Sequence, residues 1–161
     1  MHRLRLLLAA ALACAPAFGQ QATNSFDDPF LQATSALADC PVPAGPLYTP
    51  DEVRAEAHVR AQHGTSCYRS GRCRLPNSYL YDREIAPRVV QYLRQDERFA
   101  GSSVWVMGRQ RLVFLLGCAS SAEQAAEMER SVGLIDDVAG VVNQLSLPGQ
   151  PPTYAVTSGP R

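Results

Sequence analysis

The sequence predicts an α+β fold: a small αββαβ sandwich, a three-stranded sheet carrying two helices, preceded by a helical extension tied by disulfides. Three observations predict it. Asp82 to Leu147 runs in the order helix, strand, strand, helix, strand. Its periodicity switches from about 3.6 residues, with Ile85, Val89 and Leu93 on one stripe, to alternation in Val104-Trp105-Val106 and Val113-Phe114-Leu115-Leu116. Four cysteines, Cys40, Cys67, Cys73 and Cys118, lie beyond an export-like N-terminus.

The first 19 residues carry that export signal. Met1-His2-Arg3-Leu4-Arg5 is a short positive region, Leu6 to Ala13 is apolar, and Ala17 and Gly19 offer cleavage points. The apolar run is too short to span a bilayer, so a secretory signal peptide is expected. This implies a periplasmic or secreted protein in an oxidising compartment. The alternative is a lipoprotein anchored at Cys14, because Ala11-Leu12-Ala13-Cys14 loosely follows a lipoprotein cleavage site.

All fifteen basic residues are arginine, against fifteen acids. Losing Arg3 and Arg5 with the signal leaves a slight acidic excess, which argues against nucleic acid as a partner. Residues 20–39 read as a flexible leader, broken by Asp27-Asp28-Pro29. Residues 40–81 form the cysteine-containing extension, opening on the stiff Cys40-Pro41-Val42-Pro43-Ala44-Gly45-Pro46. Thr49-Pro50-Asp51-Glu52 is a helix start with a capping box, and Gly64 is its stop. That helix has a face mostly of alanine and needs an anchor from outside itself.

The first helix of the 82–147 unit takes Asp82 as its cap, with Pro87 as a tension that suggests a start one or two residues later. The strands are expected at Ser102–Met107 and Arg111–Gly117, with Gly108-Arg109-Gln110 as the hairpin connection. Ser120-x-x-Glu123 and Ser121-x-x-Gln124 are overlapping capping boxes for the second helix, whose apolar face is Ala125, Met128, Val132 and Ile135. Val138 to Leu145 closes the unit, and the proline-rich 148–161 reads as a flexible tail.

These residues, above all Val138-x-x-Val141-x-Asn143-x-Leu145 after Val113-Phe114-Leu115-Leu116-Gly117, resemble the BON domain family of bacterial envelope proteins. The resemblance covers one copy, about residues 82–147. It implies the αββαβ fold and a role in binding phospholipid or other envelope material. Two positions depart from the family pattern: Arg111 stands where glycine usually precedes the second strand, and Asp137 where glycine often precedes the last.

Within the cysteines, the short loop around Ser70-Gly71 makes Cys67–Cys73 the natural local bridge, leaving Cys40–Cys118 to tie the extension to the sheet. The alternative is a free, buried Cys118. Alternation puts Leu112, Phe114, Leu116 and Cys118 on a second apolar face that two helices cannot reach. The 40–81 extension is its expected cover, and a partner protein or lipid is the alternative.

Arg60, Arg69, Arg72 and Arg74 form a positive run with no acid between Ala57 and Tyr81, and with Tyr68, Tyr79 and Tyr81 nearby. They are candidates for contacting anionic phospholipid, against the reading of a solvated loop face. His58, His63, Cys67 and Cys73 lack common zinc spacing, so neither metal nor cofactor is implied. No nucleophile elbow, Ser/His/Asp set or phosphate loop is present, and an enzyme is not expected. The resulting expectation is a non-enzymatic envelope protein that binds anionic phospholipid. An adaptor docking on an envelope protein is the rival reading, and a metal or redox protein using the His/Cys segment is the third.

Overall fold

The computed structural model describes residues 21–157; the signal peptide and Cys14 lie outside them. The chain runs β1 (Phe30–Gln32), α1 (Pro50–Gln62), α2 (Thr65–Arg69), α3 (Ser78–Gln95), a 3-10 turn (Glu97–Phe99), β2 (Ser103–Arg109), β3 (Leu112–Cys118), α4 (Ala122–Val132) and β4 (Gly140–Ser146). From α3 onward this is the αββαβ order. The sheet, however, has four strands in the order β1-β2-β3-β4 rather than three. The first three are antiparallel, and β4 lies parallel to β3 after the α4 crossover.

The extra strand corrects the reading of residues 20–39 as a flexible leader. Phe30, Leu31 and Gln32 pair with Met107, Val106 and Trp105. A three-residue strand has no periodicity of its own; the open edge of β2 selects it.

α3 begins four residues before the expected Asp82, because Asn77 caps it by accepting the Tyr79 N–H at 2.9 Å. The helix continues through Pro87. That proline leaves the Arg83 carbonyl without its usual donor, but both residues are exposed, so water can take the carbonyl. The expected start of α1 is present in full. Thr49 Oγ1 accepts the Glu52 N–H at 3.3 Å, and the Glu52 carboxylate accepts the Thr49 N–H at 2.7 Å. Gly64 ends α1 with φ +88°, where a Cβ would sit 2.5 Å from Ser78 Oγ. α4 takes Ser121 as its cap, with Oγ accepting the Gln124 N–H at 3.2 Å, but the Gln124 side chain accepts the Ser120 N–H at 2.9 Å instead of closing the expected box on Ser121.

The hairpin differs from the expected Gly108-Arg109-Gln110. Arg109 pairs with Leu112, so Gln110-Arg111 is a two-residue connection, with φ +59° and +66°. Positive φ at both positions is what a tight hairpin turn requires, and without glycine it is strained. Asp82 compensates. Its buried carboxylate accepts the Gln110 N–H at 2.8 Å and the Arg111 N–H at 2.7 Å. Asp137, the second departure from the family pattern, carries φ +72°.

The inner core joins Val104, Val106, Val113 and Leu115 to Ile85, Val89 and Leu93 of α3, and to Met128 and Val132 of α4. Each side chain so buried contributes roughly 1.5–3 kcal/mol. The outer face holds Trp105 and Leu116, buried together with Cys40 and Tyr154. Its cover is the start of the extension plus a segment read as tail. Ala44 N–H donates to the Ala155 carbonyl at 2.8 Å, Thr157 N–H to Val42 at 2.9 Å, and the Tyr154 hydroxyl to the Pro41 carbonyl at 2.8 Å. The segment from Tyr154 to Thr157 is therefore part of the outer layer. Tyr154 packs there because a ring and a hydroxyl acceptor are both on offer.

Among the described residues, Cys40–Cys118 and Cys67–Cys73 form disulfides. The first closes a separation of 78 residues and fastens the outer layer to the end of β3. On the chain-entropy model a bridge of that span contributes roughly 4 kcal/mol.

Candidate functional site

The four arginines singled out from the sequence do not share one surface. Arg60 is the only buried residue of α1 and faces inward. Its guanidinium donates to both oxygens of Asp28, at 2.8 and 2.7 Å, and to Glu56 at 3.0 Å and the Tyr48 hydroxyl at 2.8 Å. The Phe26 and Tyr79 rings flank it at 3.9 and 4.2 Å. Arg60 therefore leaves the candidate ligand set: it is the anchor that the weakly apolar α1 needed.

Electrostatics follow from this packing. Burial alone would raise the Asp28 pKa, yet hydrogen bonds from Arg60 and Tyr48 hold it below the ordinary carboxylate range. Burial pulls Arg60 down, and its bonds to Asp28 and Glu56 more than reverse that. Tyr48 is pushed up by burial and by the Asp28 carboxylate it donates to. At neutral pH the cluster is a charged pair with a neutral tyrosine.

Arg74 is exposed but already engaged. It meets Glu84 at 2.7 Å and Asp137 at 3.0 Å, and lies over the Tyr81 ring at 5.2 Å. Arg111 lies over the same ring at 4.7 Å and donates to the Asp137 carbonyl at 2.8 Å. These contacts fix the end of the stapled loop against α3.

Arg69 and Arg72 differ from both. Each is exposed, and neither makes an ion pair among the described residues. They stand on the tip formed by α2 and the turn to Cys73, beside Tyr68, which is 47% exposed. The tip is preorganised around the Cys67 carbonyl, which accepts the Arg72 and Cys73 N–H groups at 3.0 and 3.2 Å and the Ser70 hydroxyl at 2.9 Å. The Cys67–Cys73 bridge closes it, so neither sulfur is free as a thiolate ligand. Two guanidinium forks with open donors suit phosphate or carboxylate oxygens, and the neighbouring tyrosine suits an interface between polar and apolar surroundings.

Sequence reasoning missed Asp28 and Asp82. In the sequence Asp28 is only part of the Asp27-Asp28-Pro29 break in a leader, and Asp82 only a helix cap. A signal existed for the first: Phe26, Asp28 and Tyr48 supply the ring faces and carboxylate that an arginine on a poorly apolar helix requires.

No helix among the described residues is long and apolar enough to cross a membrane. The BON domain family model matches residues 81–149, in a single copy. No curated protein and no solved structure matches the chain.

Proposed function

With residues 81–149 matching the BON domain, we propose that this is a non-enzymatic, envelope-associated protein that binds anionic phospholipid through Arg69 and Arg72. The observation that carries the reading is that these two guanidinium groups are exposed and, among the described residues, without an acidic partner, on a disulfide-closed tip. The other two arginines of the run are taken up by Asp28 and by Glu84 with Asp137. Rigidity lowers the entropy lost when the tip meets a headgroup. Tyr68 can seat its ring at the headgroup level while the two arginines meet phosphate. An oxidising compartment is required for the staple to persist, which agrees with a periplasmic or secreted location.

Sedimentation with vesicles tests this. Mature protein should pellet with phosphatidylglycerol vesicles and not with phosphatidylcholine vesicles, and salt should weaken the association by screening. Equal binding to both lipids, or binding to neither, would contradict it.

A further inference from the structure

Among the described residues, β1 is an outer strand paired on one side only. Leu31 faces β2, so Phe30 and Gln32 turn their N–H and C=O groups outward. Of these, only the Gln32 carbonyl has a partner among the described residues: Arg94 donates to it at 2.8 Å and to the Ala33 carbonyl at 3.1 Å. Beyond that point the edge ends. The Ala33 N–H reaches the Val104 carbonyl while the Val104 N–H turns to Thr34, a local bend that stops regular pairing.

A groove of about 620 Å³ lies along this edge, between Leu31 and the flank of α3 formed by Pro87, Val90, Gln91 and Arg94. Leu31 is 38% exposed and points into the layer that α3 occupies. Among the described residues, Arg94 is the only ionised one lining the groove, and it makes no ion pair. Two carbonyls hold its guanidinium in place, while its remaining N–H groups have no partner there.

We propose that this groove takes the last residues of an extended peptide, which adds to β1 as a fifth strand and sets its terminal carboxylate against Arg94. Open backbone groups at Phe30 and Gln32 supply the strand pairing, and the Leu31–Val90 wall takes one apolar side chain. The lone positive charge selects an anionic group. The shortness of the edge selects a chain end: a partner strand must stop beside Gln32, and a terminus does so without having to turn away. This surface shares no residue with the Arg69 and Arg72 tip, so either proposal can fail alone.

The test uses the full mature protein and a pool of synthetic heptapeptides, apolar at alternate positions, with free carboxyl ends, beside the same pool amidated. Bound peptide should slow hydrogen exchange at the Phe30 and Gln32 amides. The free-acid pool should bind at least about tenfold more tightly than the amidated one, as expected for a charge-assisted contact. Arg94→Gln should erase that difference. Because Arg94 also braces β1, Leu31→Glu serves as a second variant: it keeps the backbone pairing, puts a negative charge in the groove wall and should abolish binding. Unprotected Phe30 and Gln32 amides, or equal binding of acid and amide, would overturn the proposal. An amidated pool with internal glutamate that binds as well as the free acid would also overturn it, by assigning Arg94 to side-chain carboxylates.

Discussion

Arg60 and Asp28 meet in a two-pronged ion pair, 32 residues apart in sequence, and both are almost fully buried. Through it α1 is attached to the strand layer, because the helix buries no apolar residue of its own. Removing one partner leaves the other charged and unpaired inside the protein. Arg60→Ala should therefore cost roughly 3–5 kcal/mol in urea unfolding. A loss below about 1 kcal/mol would show that α1 is held by something else.

The same pair predicts an acid limit. Asp28 titrates below its ordinary value in the folded state, so its contribution is present above pH 4 and is lost as pH falls through the lowered folded pKa. Asp28→Asn should flatten the acid limb of the stability curve. An unchanged limb would contradict the assignment.

Asp82 works with the opposite sign. Burial pushes it up to about 6, against the lowering effect of the two N–H bonds from Arg111 and Gln110. The folded form thus takes up its proton at higher pH than the unfolded one. The favourable contribution is present below about pH 4 and is lost as pH rises through about 6. Across that window wild type should lose about 3 kcal/mol relative to Asp82→Asn, a shift of about two pKa units. Urea unfolding of both proteins at half-unit pH steps measures the difference; a constant difference would show that Asp82 does not titrate there.

The outer layer predicts a graded cost. Leu116 is buried beneath Cys40 and Tyr154, whereas Phe114 is half-buried. Leu116→Ala should cost about 3 kcal/mol and Phe114→Ala less than the usual cost of a buried phenylalanine. Replacing Cys40 and Cys118 by serine should cost roughly 4 kcal/mol and expose Tyr154, which near-ultraviolet circular dichroism reports. Unchanged stability after loss of the bridge would mean that the strap at 40–48 holds without it.

Much of this was legible in the sequence for a physical reason. Ile85, Val89 and Leu93 repeat at helical spacing, and Val113 and Leu115 alternate, because each element buries one face regardless of its neighbours. Both disulfides follow from loop length and from the doubly apolar β3. What stayed hidden depends on partners far away in the chain. Phe30 to Gln32 become a strand only because β2 has a free edge, and Tyr154 is one aromatic among prolines until the strap lies beside it. The Gln110-Arg111 turn lacks glycine because Asp82, 28 residues upstream of Gln110, holds its amides. The candidate site was half legible: the arginine run marked the region, but only Asp28, Glu84 and Asp137 show which of its members remain available.

The central claim rests on Arg69 and Arg72, and charge reversal at both tests it most directly. An arginine near an anionic surface contributes about 1 kcal/mol, so removing two weakens association about thirtyfold, and reversing them does more. The variant Arg69→Glu/Arg72→Glu should keep the wild-type melting temperature, since among the described residues neither side chain makes an ion pair and Arg72 meets only the exposed Ser70 hydroxyl, and should lose binding to phosphatidylglycerol vesicles at low salt. Undiminished vesicle binding by a fully folded double variant would contradict the assignment of the tip.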